Sequence, residues 1–223
     1  MYYYKPRPRD YHRSDDAQEQ LRQRLTATVD ALEAMGYDPE RVKWGFIDEV
    51  AVQMHTNNSR FWAFEPALSR LVSTHPKSQS FFGFYGLNAV SHLHPLEDGT
   101  QESIKAALLA VKAQQSNLSA MVVIADNARS HHALETWGWE RQIYFVWLPT
   151  YSPDLNPIEK LWKSTKRGVT QWGFIDQPAQ LRTVFSTCFE QLKDQLSFLK
   201  GWWEMYESQL TWYSTIFNSN MSQ

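Results

Sequence analysis

The stretch AMVVIADNARSHHALETWGWERQIYFVWLP, residues 120–149, decides the fold. It opens with a run of β-formers, passes through a short helix or turn at SHHALETWGW and ends in a second β-forming run, IYFVWLP. Strand, helix, strand in that order is the pattern of two parallel strands joined by a crossover, and it predicts an α/β fold. The first run finishes on Asp126, a carboxylate presented at the C-terminal end of a strand, followed by a small polar loop.

Upstream, VKWGFIDE (42–49) is predicted to be a strand, followed by a second at about 50–56 and a third at about 60–65, with HTNNSR as the turn of an antiparallel meander. A loop is expected around THPKSQS, then a strand over 81–90, FFGFYGLNAV, whose glycines mark twist or close approach. SHLHPLEDGT is read as a loop and residues 101–117 as a helix with the stripe Ile104, Ala107, Leu108 and Val111. Before all of these, Leu21, Leu25, Thr28, Leu32 and Met35 recur at helical spacing until Gly36. The plan is a mixed sheet flanked by helices.

After the sheet, SPDLNPIEKLWKSTKRG begins with turn residues and becomes helical at Pro157. A final helical region, about 178–217, carries Leu181, Val184, Phe185, Cys188, Leu192, Leu196 and Leu199 and an aromatic-rich segment expected to pack over the domain or against another subunit. Three parts are expected: a basic arm (1–15), a catalytic domain (16–177) and a helical, aromatic-rich extension (178–223).

Composition narrows the function. One cysteine, Cys188, excludes an internal disulfide framework and a cysteine-rich zinc site. No apolar run is long enough to span a bilayer, and a single cysteine fits a reducing interior, so a cytoplasmic protein is expected. The net charge of −2 argues against nucleic-acid binding by charge alone. Its distribution argues the other way: Lys5, Arg7, Arg9 and Arg13 lie in the arm, and Lys160, Lys163, Lys166 and Arg167 lie together on one predicted helix.

The chemistry rests on acids. Asp48 follows Trp44 and Phe46 on one alternating face near the end of the first strand, and Asp126 ends a later strand in the same way. If those strands are neighbours, the two carboxylates converge. Glu159 has a local explanation, because Asn156 as cap, Pro157 at the first helical position and Glu159 two residues later form a capping box, with Lys163 one turn on as a partner. With the two aspartates it also makes a set of oxygen donors for two divalent cations, magnesium or manganese, which suits phosphodiester chemistry. His131 is placed to bind phosphate or orient the site. The pair His92 and His94 is a weak zinc signal, and Trp162 is read as core. No phosphate-binding loop, dinucleotide fingerprint or nucleophile elbow is present.

The blocks WGFIDEVAVQMH, GFYGLNAV, VVIADNARSHH and LPTYSPDLNPIEKLWKSTKR, in this order, resemble the catalytic domain of bacterial insertion-sequence transposases in the Tc/mariner superfamily, a DDE endonuclease family. The resemblance covers about residues 40–170 and implies a ribonuclease-H-like mixed sheet. It implies that Asp48, Asp126 and Glu159 are the catalytic, metal-binding acids, that His131 is the family's histidine, and that Asn127 and Asn156 shape the loops around them. The implied activity is magnesium-dependent hydrolysis at transposon ends followed by strand transfer, with double-stranded DNA as partner and association with the nucleoid when bound to it. One predicted helix precedes the strands where a helix-turn-helix region would stand, so a separate N-terminal DNA-recognition polypeptide, or residues beyond this chain, is expected to supply end recognition. Self-association into a homo-oligomer is a further expectation from the aromatic tail. Two other readings fit the same residues: a nonspecific or structure-selective two-metal nuclease, and a noncatalytic DNA-binding or assembly module that keeps the fold.

Overall fold

Ala120–Ala125 has no residue able to face water, and every one of its side chains is buried. Such a strand must lie inside a sheet covered on both faces. The computed structural model describes residues 13–54, 77–128, 132–172 and 174–210. In chain order the elements are α1 (Ala17–Ala34), β1 (Val42–Gln53), β2 (Ser78–Gly86), β3 (His92–Leu96), α2 (Gln101–Gln114), β4 (Ala120–Ala125), α3 (Glu135–Trp139), β5 (Ile143–Trp147), α4 (Ile158–Gln171), α5 (Pro178–Leu192) and α6 (Ser197–Tyr206).

The five strands lie in the order β3-β2-β1-β4-β5. β1 pairs antiparallel with β2, and β2 with β3. β1 pairs parallel with β4, and β4 with β5, so the crossover read in residues 120–149 is present.

Alternation divides the side chains between two cores. Trp44, Phe46, Val50, Phe81, Tyr85, Val122 and Ile124 face α1, α4, α5 and α6. Ile47, Phe82, Phe84, Met121 and Val123 face Ile104, Leu108 and Val111 of α2 and Leu134 ahead of α3. The described aromatics of the C-terminal segment belong to the first core: Trp202 meets Phe46 edge-on at 4.8 Å, and Trp202, Trp203 and Tyr206 are all buried. Those three side chains are therefore covered by this chain itself.

Several boundaries differ from the sequence reading. β1 runs unbroken to Gln53 instead of ending at Glu49, because Val50 and Val52 continue its alternating burial and β2 pairs with it as far as Gln53↔Ser78. The expected strand at 60–65 and turn at 55–60 lie outside the described residues. The loop expected around THPKSQS gives way to strand at Ser78, and His92–Leu96, expected as loop, is the edge strand β3. Pro95 is tolerated there because an edge strand has one side without a ladder. The helix at 101 ends at Gln114, and Val29, not Thr28, completes the buried stripe of α1. The C-terminal helical region is interrupted between Lys193 and Leu196, giving α5 and α6.

Candidate active site

Register brings the aspartates together. The last parallel pair of β1 and β4 is Phe46↔Ile124, and two residues further along each chain stand Asp48 and Asp126. An even step keeps both on the face of Phe46 and Ile124, the face that α4 covers. α4 then delivers Glu159 from its first turn.

The start of that helix is tied to β1. Asn156 is 4% exposed; its Nδ2 donates to the Ile47 carbonyl at 3.3 Å and its Oδ1 accepts from Ile158 N–H at 3.4 Å. Asn156 is extended, whereas Pro157 is already helical at φ −60°, ψ −24°, so the cap and first-position roles read from NPIE are filled. The capping box is not completed, because the Glu159 carboxylate makes no hydrogen bond among the described residues and no ion pair with Lys163. It remains exposed beside the other acids.

Asp48, Asp126 and Glu159 line one cleft of about 330 Å³, walled by Asn127, Ala128, Asn156 and the loop Leu148–Pro153. Their charges oppose one another. Burial first, then Glu159 and Glu49, push Asp48 up to about 7, with a smaller push from Asp126; a hydrogen bond from Trp162 works in the opposite direction. Glu159 is also raised, chiefly by burial, with Lys166 lowering it and Asp126 raising it. Among the described residues no three acids or imidazoles form a ready-made metal cage. The donor set nevertheless fits hard divalent cations: it consists of carboxylate oxygens, and neutralisation would relieve their repulsion.

The remaining predicted residues distribute around this centre. Asn127 lines the cleft and donates from Nδ2 to Thr150 Oγ1 at 3.3 Å, while its Oδ1 meets His132 Nε2 at 2.5 Å. His131 lies outside the described residues. His132, which the sequence reading passed over, holds Asn127 and packs at a tilt against Trp147, ring centroids 4.4 Å apart. Lys163, Lys166 and Arg167 are exposed on the outer side of α4, whose inner side buries Leu161, Trp162 and Thr165. Lys160 turns toward α6, donating to the Phe198 carbonyl at 3.4 Å. His92 and His94 sit on β3 with ring centroids 6.2 Å apart and belong to no three-residue metal cluster among the described residues.

Trp162 is buried as expected, but its indole Nε1–H also donates to Asp48 Oδ2 at 3.0 Å. Spacing offered one hint, since Trp162 follows Glu159 by three residues and so lies on the neighbouring part of the helix surface.

The profile of the DDE superfamily endonucleases matches residues 43–182. No curated protein matches the chain by sequence. Among solved structures, the Mos1 mariner paired end complex with Mn is similar at TM-score 0.60 and 13% identity, over 98% of this chain and 67% of that one. The Mos1 strand transfer complex is similar at TM-score 0.58 and 12% identity, over 99% and 66%. A pre-cleavage Mos1 transpososome gives 0.53 and 14%, over 99% and 67%. The chain thus spans about two thirds of the length of those proteins. At these identities the likeness is one of fold, and the fold is the ribonuclease-H-like mixed sheet.

Proposed function

The chain belongs to the DDE superfamily endonucleases, and from that premise we propose that it is the catalytic part of a DNA transposase, cutting phosphodiester bonds at transposon ends and joining the freed ends to target DNA. The observation that carries this reading is the meeting of Asp48, Asp126 and Glu159 in one cleft, on one face of the sheet, where burial first and then the charges of neighbouring acids raise Asp48. Structural burial alone does not call for three acids in one place. A cluster that must bind cations to discharge itself does.

In this reading the three carboxylates hold two divalent cations, magnesium or manganese, which activate the attacking oxygen and stabilise charge on the leaving one. Asp48 supplies a carboxylate from the sheet, Asp126 one from the following loop and Glu159 one from the helix. Asn156 keeps β1 and α4 in register, and Asn127 with Thr150 holds the loop beside Asp126. Lys163, Lys166 and Arg167 form a basic stripe leading away from Glu159, suited to a DNA backbone. The fold neighbours named as paired end and strand transfer complexes support double-stranded DNA as partner and assembly into a multimer. A separate N-terminal recognition polypeptide belongs to the same proposal. So does the division into an arm, a catalytic domain and a C-terminal helical extension that walls it.

The test is nicking of supercoiled DNA in magnesium or manganese by the intact chain and by Asp126→Asn. Metal-dependent nicking by the intact chain alone is expected. Equal nicking by both proteins, or none by either, overturns autonomous cleavage at this site and favours a noncatalytic DNA-binding module. Nicking without any preference for terminal sequences, and without strand transfer, favours the nonspecific nuclease.

A further inference from the structure

Asp48 is gripped by a side chain that packing alone does not require to be tryptophan. The Trp162 ring lies in the first core, with Phe185 and Phe189 of α5 each 6.0 Å away centroid to centroid. Its one polar atom finds the Asp48 carboxylate at 3.0 Å. Buried indoles in this protein do not all achieve this: Trp202, equally buried, has no hydrogen-bond partner for its Nε1 among the described residues.

The seat for the ring is made across the sheet. Gly83 of β2 is the antiparallel partner of Asp48. A Cβ at position 83 would stand 2.2 Å from Trp162 Cη2 and 2.3 Å from Cζ2, with Ile158 Cδ1 at 3.2 Å. The missing side chain on β2 therefore admits the indole that reaches the acid on β1.

A carboxylate at the end of a two-bond side chain rotates unless something holds one oxygen. Resting on the phosphodiester reading above, we propose that Trp162 is a positioning residue for Asp48: its N–H holds Oδ2, leaves Oδ1 for the cleft, and relies on Gly83 for its place. The contact also crosses from α4 to β1, so one helix sets both Glu159 and the orientation of Asp48.

The test uses the full chain, with indole N–H groups followed by ¹H–¹⁵N spectroscopy without metal, and nicking of supercoiled plasmid followed across a Mn²⁺ series. Trp162→Phe identifies the Trp162 resonance by its disappearance, and Asp48→Ala is expected to shift that resonance while leaving that of Trp202 in place. Gly83→Ala should disturb the same resonance from the other side. In nicking, Trp162→Phe is expected to lower kcat about tenfold, the scale of one hydrogen bond to a charged group. The KM for plasmid should be unchanged and the Mn²⁺ requirement raised, with Trp202→Phe behaving as the parent. A Trp162 resonance indifferent to Asp48→Ala, or parental nicking by a folded Trp162→Phe, overturns the proposal. If the parent chain does not nick, the cleavage reading fails and the indole resonance alone decides whether Trp162 holds Asp48.

Discussion

Asp48 carries a proton more readily in the folded chain than in the unfolded one, because burial and neighbouring acids raise it from 3.8 to about 7. Between about pH 4 and pH 7 the folded state keeps a proton that the unfolded state has released, so the contribution of this group to stability declines as pH rises through that window and levels off above it. Asn at this position needs no proton. Without divalent metal, Asp48→Asn is expected to be more stable than the parent at pH 8 by roughly 2–4 kcal/mol, with the gap closing near pH 4. Urea unfolding in a chelator across that range checks it, and a variant less stable at pH 8 contradicts it. Adding Mn²⁺ should narrow the gap, since only the parent keeps the full set of acids and binding to the folded state stabilises it. The placement of Asp48 on β1 was legible in sequence, although the strand runs on past it to Gln53. Its raised pKa was not, because that depends first on burial by the folded chain and then on Glu159, over a hundred residues away.

At the scale of elements, α4 does two jobs through opposite sides. Leu161, Trp162 and Thr165 fix it to the sheet, while Glu159 opens into the cleft and Lys163 and Lys166 face outward. Its placement depends on Asn156, whose side chain bonds both Ile47 on β1 and the first turn of the helix. Asn156→Ala leaves two buried backbone groups without these partners and is expected to cost about 1–3 kcal/mol. Nicking should fall more than global stability predicts, because Glu159 loses its register with Asp48. A variant losing stability but retaining full activity would place Asn156 outside the site. The NPIE text made the helix start readable from cap chemistry alone. That Asn156 also reaches β1 depends on which strand happens to lie beside it.

For the whole molecule, the proposed function raises the question of how a chain of net charge −2 would hold DNA. Arg13, the first described residue, pairs with Asp154 at 2.5 Å, in the turn that lines the cleft and leads into α4. Arg13 is thus held to the turn that leads into α4. Removing residues 1–12 deletes Lys5, Arg7 and Arg9, and DNA affinity is expected to fall while the slope of log K against log salt shrinks by up to about 3. Binding measured by fluorescence anisotropy over a salt series decides this, and an unchanged slope removes the arm from the interface. No helix among the described residues is long and apolar enough to cross a membrane.

By itself the sequence determined the α/β crossover, the strand that carries Asp48, the strand end that presents Asp126, the helix start that carries Glu159 and the core burial of Trp162, because each follows from local periodicity or cap chemistry. It misplaced the end of β1 and missed β3, since an edge strand has weak alternation and its pairing is supplied by a neighbour. Only the tertiary structure decided that Asp48 and Asp126 share a face two residues past Phe46↔Ile124, that Gly83 clears space for Trp162, and that His132 holds Asn127. These are contacts between residues far apart in the chain, set by register and by which side chain is absent, and no local pattern records them.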